Sequence, residues 1–215
     1  RYDQSPSLAT SIERAMALNE IGTNDLAHVE LYSCFPCVPK MARRVLDWPI
    51  EKPVTVFGGL TFGGGPIGNY MSHAVVAMAE KLRGTDGRGL LFANGGYATH
   101  NHAIMLSGVP TGAHFPQDFD YQTEADGRRG EVPPIDEDYA GPAVIETYTV
   151  HYDRAGSPKS GVIVALTPNG SRTLANVPAD DGETIAFLTD GRCEPVGASG
   201  NIERRRDGLA LWQRS

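Results

Sequence analysis

Cysteine is scarce in this sequence. Three residues, Cys34, Cys37 and Cys193, are spread over 215 positions, an odd number that makes no disulfide framework. A reducing cytoplasm is the compartment such usage implies. No apolar run approaches the roughly twenty residues that a membrane-spanning helix needs, and no secretory signal is visible, so no membrane partner is expected. Basic residues are outnumbered 19 to 26, for a net charge of −7. That balance argues against binding nucleic acid or an anionic surface. Glycine (25) and proline (15) are slightly plentiful, which implies long loops. A chain of this length buries one full core, or one domain and a smaller one. It opens Arg1-Tyr2-Asp3 without a methionine in a polar stretch, so a larger functional unit is expected.

The stretch with the most information is FGGLTFGGGPIGNYMSH, residues 57–73. A β-prone run, Pro53 to Phe57, leads into a loop with five glycines, then Pro66, then a helical pattern beginning near Gly68. Glycine allows a backbone N–H to approach a ligand closely, and proline suits the first turn of a helix. The loop therefore reads as a holder for a phosphate, a carboxylate or a developing oxyanion. Gly63, Gly65 and Gly68 have G-x-G-x-x-G spacing. A dinucleotide loop follows its strand at once and has an acid after the next strand; neither condition is met, and that reading is set aside.

Periodicity gives helices over 7–20, 37–48 and 68–83, with Met71, Val75, Met78 and Leu82 as the apolar side of the last. Strands are predicted at 28–33, 53–57, 89–93 and 102–107. Residues 1–110 read as a layered α/β domain and 111–141 as a Pro/Gly/acid-rich linker. Residues 142–215 read as a small antiparallel barrel of the OB type, with strands at 144–152, 161–166, 172–177, 184–188 and 209–212. Asn169-Gly170, Asp190-Gly191 and Asp207-Gly208 are tight-turn dipeptides.

Other chemistry-bearing residues each admit a plain reading. Cys34-Phe-Pro-Cys37 suits a redox pair or, with His100 and His102, a zinc site; buried small residues at a strand-to-helix turn are the favoured alternative. Asn69 and His73 share a helix face and either line a pocket or pack the helix. His100 and His102 share one side of a strand and face a pocket or solvent. His28, His114 and His151 belong to no motif.

Three segments in order, Val29-Glu-Leu-Tyr-Ser-Cys-Phe35, the GGL…GGPIGNY loop and Gly89-Leu-Leu-Phe-Ala-Asn-Gly-Gly96, resemble the C-terminal half of the thiolase superfamily. Within it, the sequence is most similar to sterol-carrier-protein-type thiolases and to type-1 thiolase-like proteins with an additional C-terminal β domain. The resemblance implies acyl-CoA substrates, acyl-transfer or carbon–carbon bond chemistry, and a place in lipid metabolism. It implies no cofactor, since the coenzyme A thioester is the substrate.

The family's His-Asp-Cys-Phe or Asn-Glu-Ala-Phe turn matches Tyr32-Ser33-Cys34-Phe35, and its Gly-His-Pro matches Gly64-Gly65-Pro66. The second catalytic cysteine falls at Ala93, or at Asn94 if the register slips by one. The nucleophilic cysteine belongs to the family's N-terminal half, so the resemblance implies a missing N-terminal half or a partner chain, with a homo-oligomer possible. Claisen chemistry needs a base and an oxyanion stabiliser. Gly65 and Ala93 supply no base. Gly64, Gly65, Asn69, Asn94 and Gly95 could still hold an oxyanion, and Tyr32 and His73 are the candidate catalytic groups for a different reaction such as retro-aldol cleavage. The expectation is an acyltransferase, similar to acetyl-CoA acetyltransferase, or a carbon–carbon lyase with degenerate motifs. The alternative is a non-catalytic acyl-CoA-binding or scaffolding subunit.

Overall fold

The computed structural model describes residues 3–112 and 119–214, which form two compact units, Arg1–Gly130 and Glu131–Ser215. His114 lies outside the described residues.

The first unit begins with α1 (Pro6–Leu18). Ser5 caps it by accepting from the Leu8 N–H at 3.3 Å, and Pro6 takes the first helical position, where a missing donor costs nothing. Strand β1 (Leu26–Leu31) follows, then α2 (Cys37–Leu46), the short α3 (Gly59–Gly63) and α4 (Tyr70–Leu82). Strands β2 (Arg88–Gly95) and β3 (His100–Ser107) complete a sheet ordered β1-β2-β3, with β1 and β2 parallel and β2 and β3 antiparallel. Leu8, Ile12, Val38 and Ala42 of α1 and α2 pack on Val29, Leu31, Leu90 and Phe92. Helix α4 joins Leu91 in a separate cluster through Tyr70, Ala74, Met78 and Leu82. The sheet is therefore a layer between apolar clusters, and each fully buried Leu or Met side chain contributes about 1.5–3 kcal/mol. The buried line of α4 is rotated from the expected one: Met71 and Val75 flank it, half-buried. The close seat of α4 on β2 depends on Gly89, where an added Cβ would lie 2.2 Å from Met78 Sδ.

Residues 53–57 are not a strand. Their β-branched residues suggested one, yet side chains claim the backbone donors. The Val56 N–H donates to Glu30 Oε2 at 2.7 Å, and those of Phe57, Gly58 and Gly59 donate to Thr55 Oγ1 at 3.3, 3.0 and 2.9 Å. A bond from the Leu31 N–H to Val54 O, 2.9 Å, still ties the segment to β1. The stretch expected as linker also carries structure, since α5 (Gln122–Arg129) lies within 111–141 and joins α1 through Arg14–Glu124 and Arg128–Glu13 ion pairs.

The second unit is a closed barrel of β4 (Gly141–Tyr152), β5 (Pro158–Leu166), β6 (Arg172–Val177), β7 (Ser199–Arg204) and β8 (Ala210–Arg214). Its order is β4-β5-β6-β8-β7, with β4 pairing β7 to close the ring and β6 lying parallel to β8, the five-stranded arrangement of an OB-type barrel. Small residues Ala143, Ala165, Ala175 and Ala210 leave room for Trp212, which is 2 % exposed. Residues 184–188 are helical, not a strand: they lie in α6 (Gly182–Thr189) because Asp181 caps it, accepting from the Thr184 N–H at 3.1 Å. Asp190-Gly191 accordingly ends a helix, while Asn169-Gly170 and Asp207-Gly208 turn hairpins. Strand β7 had no sequence signal strong enough to be read.

Candidate functional site

Strands β1 and β2 are parallel, and the loops that follow them meet at one end of the sheet. The Tyr32 N–H donates to Phe92 O at 3.1 Å, continuing the pairing one residue past β1. Cys34 then faces Asn94, whose nearer terminal amide atom is 2.8 Å from the sulfur. The amide is best satisfied with its oxygen accepting from the Gly95 and Ala98 N–H groups, 3.2 Å each, which turns its NH2 toward the sulfur. The structure thus gathers Tyr32, Cys34, Asn94 and Gly95 around the carboxyl ends of β1 and β2. Burial pushes the Cys34 thiol up from its ordinary value, so it is a protonated packing group at neutral pH. Burial also raises the Tyr32 phenol, with Cys34 adding to the effect.

The glycine loop is held from below by a residue that the sequence reading passed over. Glu30 is completely buried, and both carboxyl oxygens are in use. Tyr70 donates to Oε1 at 2.5 Å; Thr55 Oγ1 and the Val56 N–H each donate to Oε2 at 2.7 Å. Burial, and then the bond to Glu30, drive the Tyr70 phenol well up. The Tyr70 ring packs on Tyr32 and Phe57 with centroids 4.8 and 5.1 Å away. An acid between two apolar residues of a parallel strand, where both faces are buried, was the available signal.

Above this anchor, α3 ends at Gly64, whose N–H donates to Leu60 O at 2.9 Å. Pro66 opens a turn, not the helix: the Asn69 N–H returns to Pro66 O at 3.0 Å, and α4 starts at Tyr70. The N–H groups of Gly58, Gly59 and Gly64 are therefore committed within the chain, a narrower cradle than the glycine count suggested. Gly64 and Gly68 need their glycine, with φ of +67° and +70°. Gly65 does not: its φ is not positive, and a Cβ built there meets nothing within 4 Å.

Asn69 and His73 are joined on the exposed face of α4, Nδ2 to Nε2 at 3.3 Å. No contact among the described residues links His73 to Tyr32, so the two candidate catalytic groups are not brought together. The zinc alternative also fails to assemble. Asn101 alternates with His100 and His102 along β3 and takes the side facing α1, donating to Ser7 Oγ at 2.6 Å. The two histidines and Asn101 line, with α1, an open groove of about 460 Å³ whose lining includes neither Cys34 nor Cys37. Among the described residues, no three His, Cys, Asp or Glu side chains cluster to hold a metal. No helix among them is long and apolar enough to cross a membrane.

Residues 124–208 match the family described as the thiolase-like protein type 1 additional C-terminal domain. No curated protein matches the chain. Among solved structures, the chain is similar to a monomeric SCP2-thiolase-like protein type 1 from Mycobacterium smegmatis, at 29% identity and a TM-score of 0.83 over 98% of its length. It spans 46% of that protein, about half. Residues 124–208 therefore carry the additional C-terminal domain of type-1 thiolase-like proteins, and along nearly all its length the chain is similar in fold to such a protein.

Proposed function

We propose that this chain is the C-terminal part of a thiolase-like protein that binds an acyl-CoA thioester without turning it over by thiolase chemistry. One observation carries the reading. The resemblance puts the family's acid/base histidine at Gly65, which has no side chain, and among the described residues a Cβ built there meets nothing within 4 Å. Cys34 is kept protonated by its burial, and Asn94 is engaged with Cys34, Gly95 and Ala98. Neither is placed to abstract a proton from a thioester α-carbon. The half-buried Tyr32 hydroxyl, at the carboxyl end of β1, is the donor that favours holding a polarised carbonyl, since ligands of open α/β sheets sit at such ends.

Titration calorimetry of the purified chain with acetyl-CoA and butyryl-CoA tests this, alongside a thiol-release assay for turnover. Saturable binding without release supports it. The catalytic reading, an acyltransferase or lyase, draws on the half-buried Tyr32 hydroxyl beside Cys34. Turnover that disappears in Tyr32→Phe or His73→Ala would establish that reading instead.

A further inference from the structure

Phe35 and Tyr97 stand on the two loops that leave β1 and β2, beside the Cys34–Asn94 contact. Their rings are stacked, with centroids 5.4 Å apart and planes 21° from parallel. Tyr97 is 76% exposed and Phe35 37%. The turn that carries Tyr97 is held by several hydrogen bonds. Ala98, next in the chain, has φ +61°, a conformation an alanine holds only when its surroundings fix it. Those surroundings are on hand: Ala98 O accepts from Ser5 Oγ at 2.8 Å and from Asn101 Nδ2 at 3.0 Å, and the Ala98 N–H donates to the Asn94 amide oxygen. The turn is tied to α1, β2 and β3 at once, and the outer face of Tyr97 is presented in one orientation.

From this geometry we infer that the Phe35–Tyr97 stack is a binding platform for a planar aromatic ring of the ligand. The inference builds on the acyl-CoA reading and names a ring-recognition element for it. A π-face offers offset stacking to another ring and far less to an alkyl chain. Because the turn is already ordered, a ring that lands on it loses little further freedom, which favours binding. The ring has two sources in an acyl-CoA: the adenine of the coenzyme, or an aromatic acyl group.

The test measures affinities of benzoyl-CoA, butyryl-CoA and 3′-phosphoadenosine 5′-diphosphate for the full chain and for Tyr97→Leu and Tyr97→Phe. Tyr97→Leu should weaken ring binding about tenfold, the size of effect that loss of one aromatic stack has, and Tyr97→Phe should stay within twofold. If the acyl ring occupies the platform, benzoyl-CoA alone weakens; if the adenine does, all three weaken together. Either pattern supports the platform. Unchanged affinities for all three in Tyr97→Leu overturn it and leave the acyl-CoA reading standing. Should no CoA compound bind, that reading fails, and the platform is decided by NMR of the Tyr97 ring with adenosine and butanol. A shift with adenosine and none with butanol upholds it; no shift with either rejects it.

Discussion

At the residue scale, the side chain that does most to hold the glycine loop is a buried carboxyl group. Glu30 holds the approach to the glycine loop through three donors on two other segments. Removing a buried acceptor leaves its donors unpaired, at about 1–3 kcal/mol for each group. Glu30→Ala should therefore cost about 3–5 kcal/mol in urea unfolding, allowing for packing lost as well. Glu30→Gln should cost clearly less, because its amide oxygen keeps two donors and the Tyr70 hydroxyl can turn to accept. A loss below about 1 kcal/mol for Glu30→Ala would show that the hub holds nothing. The sequence displayed the glycines and hid this residue. Glycines are legible one by one, whereas the role of Glu30 depends on which segments fold over β1.

At the element scale, the carboxyl end of β1 collects three groups that hold their protons to higher pH than usual: Tyr32, Cys34 and Tyr70. Burial is the leading cause in each case. The unfolded chain gives up these protons first, so the stability they confer is complete below the ordinary thiol value of 9.0 and is lost as pH rises past it and past 10.0, the ordinary phenol value. Thermal melts between pH 8 and 11 should show a falling Tm, and Tyr70→Phe should flatten that slope. A slope untouched by Tyr70→Phe would remove Tyr70 from the explanation. Elements were legible where one periodic signal governed them, as in α4 with its 3.6-residue spacing. They were misread where a side chain captured backbone donors. Thr55 and Glu30 took those of 56–59 from a strand, and Asp181 started a helix in the β-prone Thr184-Ile-Ala-Phe-Leu188.

At the scale of the whole molecule, the chain holds two units with separate cores, one α/β and one a closed barrel around Trp212. A closed barrel leaves no unpaired strand edge and carries its own apolar interior. Residues 131–215 expressed alone should fold cooperatively, with dispersed amide resonances; a collapsed spectrum would mean that the barrel needs the first unit. The barrel was readable from its alternating strands and Asn-Gly and Asp-Gly turns, although the number of β segments between 178 and 209 was not. The α/β unit was readable as thiolase-like from three ordered motifs, while the state of its site was not, because openness at Gly65 and the pairing of Cys34 with Asn94 are properties of the folded chain.

The central claim, binding without thiolase turnover, rests on an open place where a base would stand. The most direct measurement is calorimetric titration of the chain with butyryl-CoA, followed by assay of the same samples for free thiol. Saturable binding with no thiol released above the buffer rate is the predicted result. Thiol release that saturates with butyryl-CoA, or no detectable binding at millimolar ligand, would contradict it.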